Sequence, residues 1–179
     1  MNKLIYLVFI TTFFAAGHAS AQGQAPVYPC EDDPKFHEFD FWIGEWDVHV
    51  ASGQFAGSNV ITSPYRGCVL IENWTSATGG TGMSINYFDH DAGEWVQIWN
   101  DGSGNQIDIR GGLTDDGMLL SGTIHYVAQD QTMKFRGLWT PLEDGRVRQF
   151  FEQFDAEKGA WNPWFEGFYT RKAAEDRQE

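Results

Sequence analysis

Glu72 and Trp74 stand two residues apart, and Trp95, Gln97 and Trp99 repeat that spacing further along the chain. Side chains two apart share one face of a β-strand. One strand thus offers a carboxylate beside an indole, and another an amide between two indoles. Turned toward an interior, these faces make a pocket of aromatic walls with a few placed polar groups, the usual composition of a small-molecule site. Trp139, Gln149, Phe151 and Tyr169 from later segments are candidates for the same lining. A carboxyl group against a hydrophobic wall has its pKa raised toward neutrality. An inward Glu72 is therefore a candidate general acid or base, with Gln97 or Tyr169 orienting a substrate. The plainer alternative makes Trp99 and Trp139 ordinary core fillers and turns Glu72 to solvent. A buried carboxylate needs a partner, so the direction in which Glu72 points decides between the two.

Other chemistries find little support. The histidines are scattered: His18 near the start, His37 before the first strand, His49 on an outer face, His90 in an Asp-His-Asp turn and His125 alone. None has a second ligand at metal-binding spacing, and no metal or cofactor is expected. The run 101–105, DGSGN, resembles part of a calcium loop. However, Gln106 and Gly112 occupy the positions that need glycine and glutamate, so it reads as a hairpin turn. No G-x-S-x-G surrounds Ser63, Ser84 or Ser121, so a serine triad has no local support. A net charge of −13 without a basic, aromatic-interleaved run makes nucleic acid and anionic membranes poor partners.

The elements that must position the candidates are strands. Lys3, the apolar stretch 4–16 and Ala19-Ser20-Ala21 read as a signal peptide over residues 1–21. The apolar run is short for a membrane span, so no span is expected in the mature protein, which is placed in the periplasm or outside the cell. In that compartment Cys30 and Cys68 pair most simply as one disulfide. Residues 22–35, proline-containing and acidic, form a leader; 36–172 form one domain; 173–179 form a polar tail. Phe39, Phe41, Trp42 and Ile43 are too dense in apolar groups for a half-exposed strand and suit a short buried 3₁₀ turn. After Gly44 the pattern alternates, with Trp46, Val48 and Val50 on the inner face of a first strand. Further strands are predicted over 59–63, 68–75, 83–88, 94–99, 106–110, 118–126, 133–139, 146–154 and 161–171, separated by Gly- and Asp-rich turns. About ten short strands in sequence form an antiparallel meander. Closing it into an up-and-down barrel removes the exposed edges; a β-sandwich is the alternative. Charged residues set the phase of several strands, sending Ile107, Ile109, Phe135, Trp139, Val147, Gln149, Phe151, Phe165, Tyr169 and Arg171 inward.

Gly44-Glu45-Trp46 matches the Gly-x-Trp that opens the barrel of lipocalins and their calycin relatives. Preceded by an aromatic turn, the stretch FDFWIGEWDV resembles a family of small exported bacterial barrels of unknown function, with nitrobindin-type barrels as more distant cousins. The resemblance spans residues 36–171 and implies a single calycin-like, all-β barrel. It also implies that Arg171, on the last strand, packs over the Trp46 indole as a structural cation–π contact. Nitrobindin-type barrels hold haem through a C-terminal histidine. No residue from Tyr126 to Glu179 is a histidine, so haem does not carry over.

The leading expectation is an exported barrel that binds a small, largely apolar or aromatic ligand. A cofactor-free enzyme using an inward Glu72 as acid or base is the second reading. A filled barrel acting through its outer surface is the third.

Overall fold

The computed structural model describes residues 26–173. The expected signal peptide, residues 1–21, and all but the first residue of the tail lie outside them. Ten strands form the framework: β1 (Gly44–Val50), β2 (Phe55–Thr62), β3 (Leu70–Ser76), β4 (Thr81–Asp89), β5 (Glu94–Asp101), β6 (Gln106–Thr114), β7 (Gly117–Tyr126), β8 (Gln131–Pro141), β9 (Val147–Asp155) and β10 (Ala160–Arg171). Each pairs antiparallel with its chain neighbour, and β1 pairs with β10. The barrel is closed, as the run of short alternating strands predicts, and the sandwich alternative falls.

Local chemistry explains the turns. Asp89, Asp101, Asp144 and Asp155 each close a hairpin by accepting hydrogen bonds from backbone amides two to four residues on. This is the Asx-turn role of aspartate. Part of the chain's acidity is therefore turn-building. The 101–105 run is the β5–β6 hairpin, its carboxylate already engaged by the amides of Ser103 and Asn105. On the outer face Arg136 pairs with Glu152 at 2.7 Å and Arg148 with Glu166 at 2.6 Å. Those charges fix the strand phases but, half-exposed, stabilise little. Among the described residues, no helix is long and apolar enough to cross a membrane.

One end of the barrel is plugged. Short 3₁₀ turns at Pro34–His37 and Asp40–Trp42 lay Phe36, Phe39 and Trp42 across it, all buried. The Phe39 ring stacks on Trp42 at 5.1 Å and meets Trp95 and Trp139 edge-on at 5.6 and 5.3 Å. The Trp46 indole N–H donates to the Trp42 carbonyl at 2.9 Å, fastening the plug to the first strand. Gly44 makes the transition at φ +148, a conformation that side chains avoid.

Residues 29–37 do more than lead into the barrel. A single helical turn at Pro29–Asp32 is joined to the β2–β3 connection by the Cys30–Cys68 disulfide. Arg66 reinforces the strap, pairing with Glu31 at 2.8 Å and covering the Tyr28 ring at 3.8 Å. The bridge closes a loop of 38 residues, which the chain-entropy account values at about 4 kcal/mol.

Several boundaries differ from expectation. β2 begins at Phe55 rather than 59, because its inward position there is Gly57, which leaves no apolar alternation to read. β3 begins at Leu70 rather than 68, because Cys68 caps a 3₁₀ turn whose Tyr65 and Arg66 have positive φ. Arg171 lies over the Trp46 ring at 4.2 Å, as the resemblance implies. It is exposed, however, and donates to the Ile43 carbonyl at 3.0 Å, so it caps the rim of the closed end rather than pointing inward.

Candidate functional site

The opposite end of the barrel opens into a cavity of about 530 Å³. The phase of β3 and β5 decides its character. Leu70 and Glu72 are buried on the inner face of β3, with Trp74 next in line, and Trp95, Gln97 and Trp99 follow one another on that of β5. The cavity walls are Trp74, Trp99, Ile107, Phe151, Trp164 and Phe165, and its floor is Glu72, Gln97, Gln149 and Tyr169. The rim comes from the β3–β4 and β5–β6 turns, with Gly79, Gly80 and Asp101 to Ser103.

The space exists because two indoles lie flat against the barrel wall. A Cβ on Gly82 would run into the Trp99 ring, and one on Gly57 would run into Trp74. A side chain at Gly82 would have to displace the Trp99 indole, and one at Gly57 would meet the Thr75 carbonyl oxygen as well as Trp74. Phe165 meets Trp74 edge-on at 6.5 Å and completes that side.

The floor is one continuous hydrogen-bond network. Gln97 donates to Asn86 at 2.8 Å, Asn86 to Ser84 at 2.9 Å, and Ser84 to Glu72 Oε2 at 2.6 Å. Asn59 donates to Glu72 Oε1 at 2.7 Å and to the Tyr169 hydroxyl at 3.2 Å; that hydroxyl donates to Gln149 at 2.6 Å. Six strands contribute its side chains: Asn59 from β2, Glu72 from β3, Ser84 and Asn86 from β4, Gln97 from β5, and Gln149 and Tyr169 from the closing pair β9 and β10. Glu72 is 4% exposed, and both its hydrogen-bond partners are neutral. Burial pushes its carboxyl from 4.5 to about 7, against the smaller opposing pull of the Ser84 and Asn59 donors. Burial, and then the Glu72 charge, push Tyr169 well above 10, so it stays a phenol. The floor thus holds an ionisable group poised near neutrality, flanked by amides that can donate or accept.

Among the sequence candidates, Glu72, Trp74, Gln97, Trp99, Gln149, Phe151 and Tyr169 all line this one cavity. Trp139 does not. It is fully buried at the closed end, against Phe39, Trp42 and the far side of Phe151, and acts as a core filler. Sequence reasoning missed Asn59, Ser84 and Asn86. Their signal was present, since Asn59 alternates with Ile61, and Ser84 and Asn86 alternate with Phe88. Trp164 was also missed. The ladder shifts between Pro163 and Phe165, and this irregularity sets Trp164 at the cavity mouth, 48% exposed, donating to the Tyr126 hydroxyl at 2.9 Å. A proline inside a strand is the sequence sign of such a bulge.

Among the described residues, no three His, Cys, Asp or Glu side chains gather as a metal site. No protein-family model and no curated protein matches this chain.

Proposed function

We propose that the protein is an exported, calycin-like barrel that binds a small, largely apolar or aromatic ligand inside the cavity. The observation that carries this reading is the open, aromatic-walled cavity with its convergent polar floor. A barrel built only as a filled scaffold has no need of indoles held flat by glycines at its mouth. The Gly44-Glu45-Trp46 opening and the Arg171 contact with Trp46 support the calycin relationship. The disulfide suits an oxidising compartment.

Native mass spectrometry of the protein exported through residues 1–21 tests the reading directly. A retained mass that leaves on denaturation supports it and supplies the molecule. Trp99→Ala is then expected to weaken that ligand by about tenfold or more, because it removes one aromatic wall. Gly82→Val is expected to do the same from the opposite side, by tipping the Trp99 indole into the space. Unchanged affinity in both variants would remove the cavity from the function.

A second reading is favoured by the burial of Glu72 between two neutral donors, which pushes its carboxyl up to about 7. A group so placed is suited to proton transfer at neutral pH, and the network through Ser84 and Asn59 would hold it in orientation. A molecule that comes off chemically altered, with the alteration lost in Glu72→Gln, would select this cofactor-free enzyme over the binding protein.

A further inference from the structure

We infer that the ligand is a cation: a protonated or quaternary ammonium group on an apolar or aromatic body, with the charge seated between the Glu72 carboxylate and the indole faces of the cavity. The inference rests on the cavity being a binding site and specifies what enters it.

Three observations converge. The lining residues include two carboxylates, Glu72 at the floor and Asp101 at the rim, and no Lys, Arg or His among the described residues. An anionic ligand would have to shed its water beside unopposed negative charge. Next, Glu72 has no basic partner among the described residues, and each oxygen accepts one hydrogen bond from a neutral donor. A carboxylate has about four acceptor sites, and a buried one is ordinarily paired. A cation seated there would pair with the ionised carboxylate in place of the proton that burial otherwise favours. Finally, the walls are π-faces. Trp74, Trp99 and Trp164, with Phe151 and Phe165, surround the same space, and indole faces are the best aromatic partners for a cation. The net charge of −13 favours the approach of cations to the protein as a whole.

Binding is coupled to the protonation of Glu72. The other titratable groups facing it are Tyr169 from β10, which stays neutral, and Asp101 at the rim, whose carboxylate is engaged by turn amides. Below pH 7 a cation must displace the Glu72 proton, so the affinity of a quaternary ammonium is expected to fall as pH drops from 7 toward 5, by at most about tenfold per unit and no further than Glu72→Gln lowers it, and to be level above pH 7.

The test compares three probes of similar size by quenching of tryptophan fluorescence at pH 8: benzyltrimethylammonium, its uncharged carbon isostere neopentylbenzene, and phenylacetate. The cation is expected to bind at least about tenfold more tightly than either of the others. Glu72→Gln is expected to bring the cation and the hydrocarbon within about threefold. Should Glu72→Gln not fold, the wild-type ratio between the two isosteres decides alone. Equal or tighter binding of neopentylbenzene overturns the cation and leaves the apolar-ligand reading standing. Preference for phenylacetate overturns the cation and its electrostatic basis. Silence from all three, in a protein that also retains no mass, overturns the cation and the binding reading together.

Discussion

Glu72→Gln is expected to stabilise the protein at pH 8, destabilise it slightly at pH 5, and flatten the slope between. The folded chain holds the Glu72 proton up to about pH 7, whereas the unfolded chain releases it near 4.5. Between those values the folded state binds the extra proton, so stability is greatest at the acid end and falls as pH rises. The loss is about 1.4 kcal/mol per unit, about 3 kcal/mol in all, and constant above pH 7. Glutamine removes that charge cost. It also mismatches one donor, since Ser84 and Asn59 both donate to the carboxylate, which costs about 1 kcal/mol at any pH. The net gain at pH 8 is about 2 kcal/mol. Other shifted groups do not distinguish wild type from variant. Asp144 and Asp155 are lowered by Arg146 and Lys158, so their contribution is lost only as pH falls below the ordinary aspartate range. His37 is raised by Asp40 and loses its contribution as pH rises above 6.5, equally in both proteins. Urea unfolding of wild type and variant at pH 5, 6, 7 and 8 isolates Glu72. Parallel stability curves would show that Glu72 is not a buried titrating group.

Phe39→Ala is expected to lower stability by about 3–5 kcal/mol, the usual cost of deleting a fully enclosed aromatic ring. The ring is 0% exposed and is shared by Phe41, Trp42, Trp95 and Trp139, so no single neighbour can close the void. Phe55→Ala, at an exposed position on β2, serves as the control and is expected to change stability by no more than about 0.5 kcal/mol. Denaturant midpoints measure both. A loss below about 1 kcal/mol for Phe39→Ala would mean that the plug packs on the barrel without supporting it. In either case the cavity at the far end should remain. Binding that persists in the destabilised variant would show that the two ends work independently.

The strands were legible because alternation was strong where the interior is filled. Ile107 with Ile109, and Val147 with Gln149 and Phe151, show both the strand and its inward face, and so the gathering of most site candidates follows from phase alone. Legibility failed where the interior is left open. Gly57 and Gly82 stand at inward positions where an apolar residue would have marked the strand, so the open ends of β2 and β4 read as turns. Asn59, Ser84 and Asn86 escaped for a related reason. Small polar residues on a strand ordinarily face water, and only their alternation with Ile61 and Phe88 shows otherwise. Trp139 and Trp99 look alike in sequence, and depth along the barrel separates them. Periodicity tells inside from outside but carries no information on depth.

The seam between β1 and β10 shapes how the chain must fold. Every other pairing in the barrel is a hairpin between consecutive strands, formed locally at small loop-closure cost. The seam joins residues at the two ends of the domain; Arg171 reaches the Ile43 carbonyl across 128 positions of sequence. That long-range closure carries the largest loop-closure cost of any pairing in the barrel, and contacts of such separation slow folding. Until it forms, β1 and β10 are both bare edges and the Trp46 indole has no guanidinium over it. The chain is then most exposed to pairing with another copy of itself. The Trp46–Arg171 contact, modest in the finished protein, therefore sits on the seam whose closure turns a sticky open sheet into a molecule without edges.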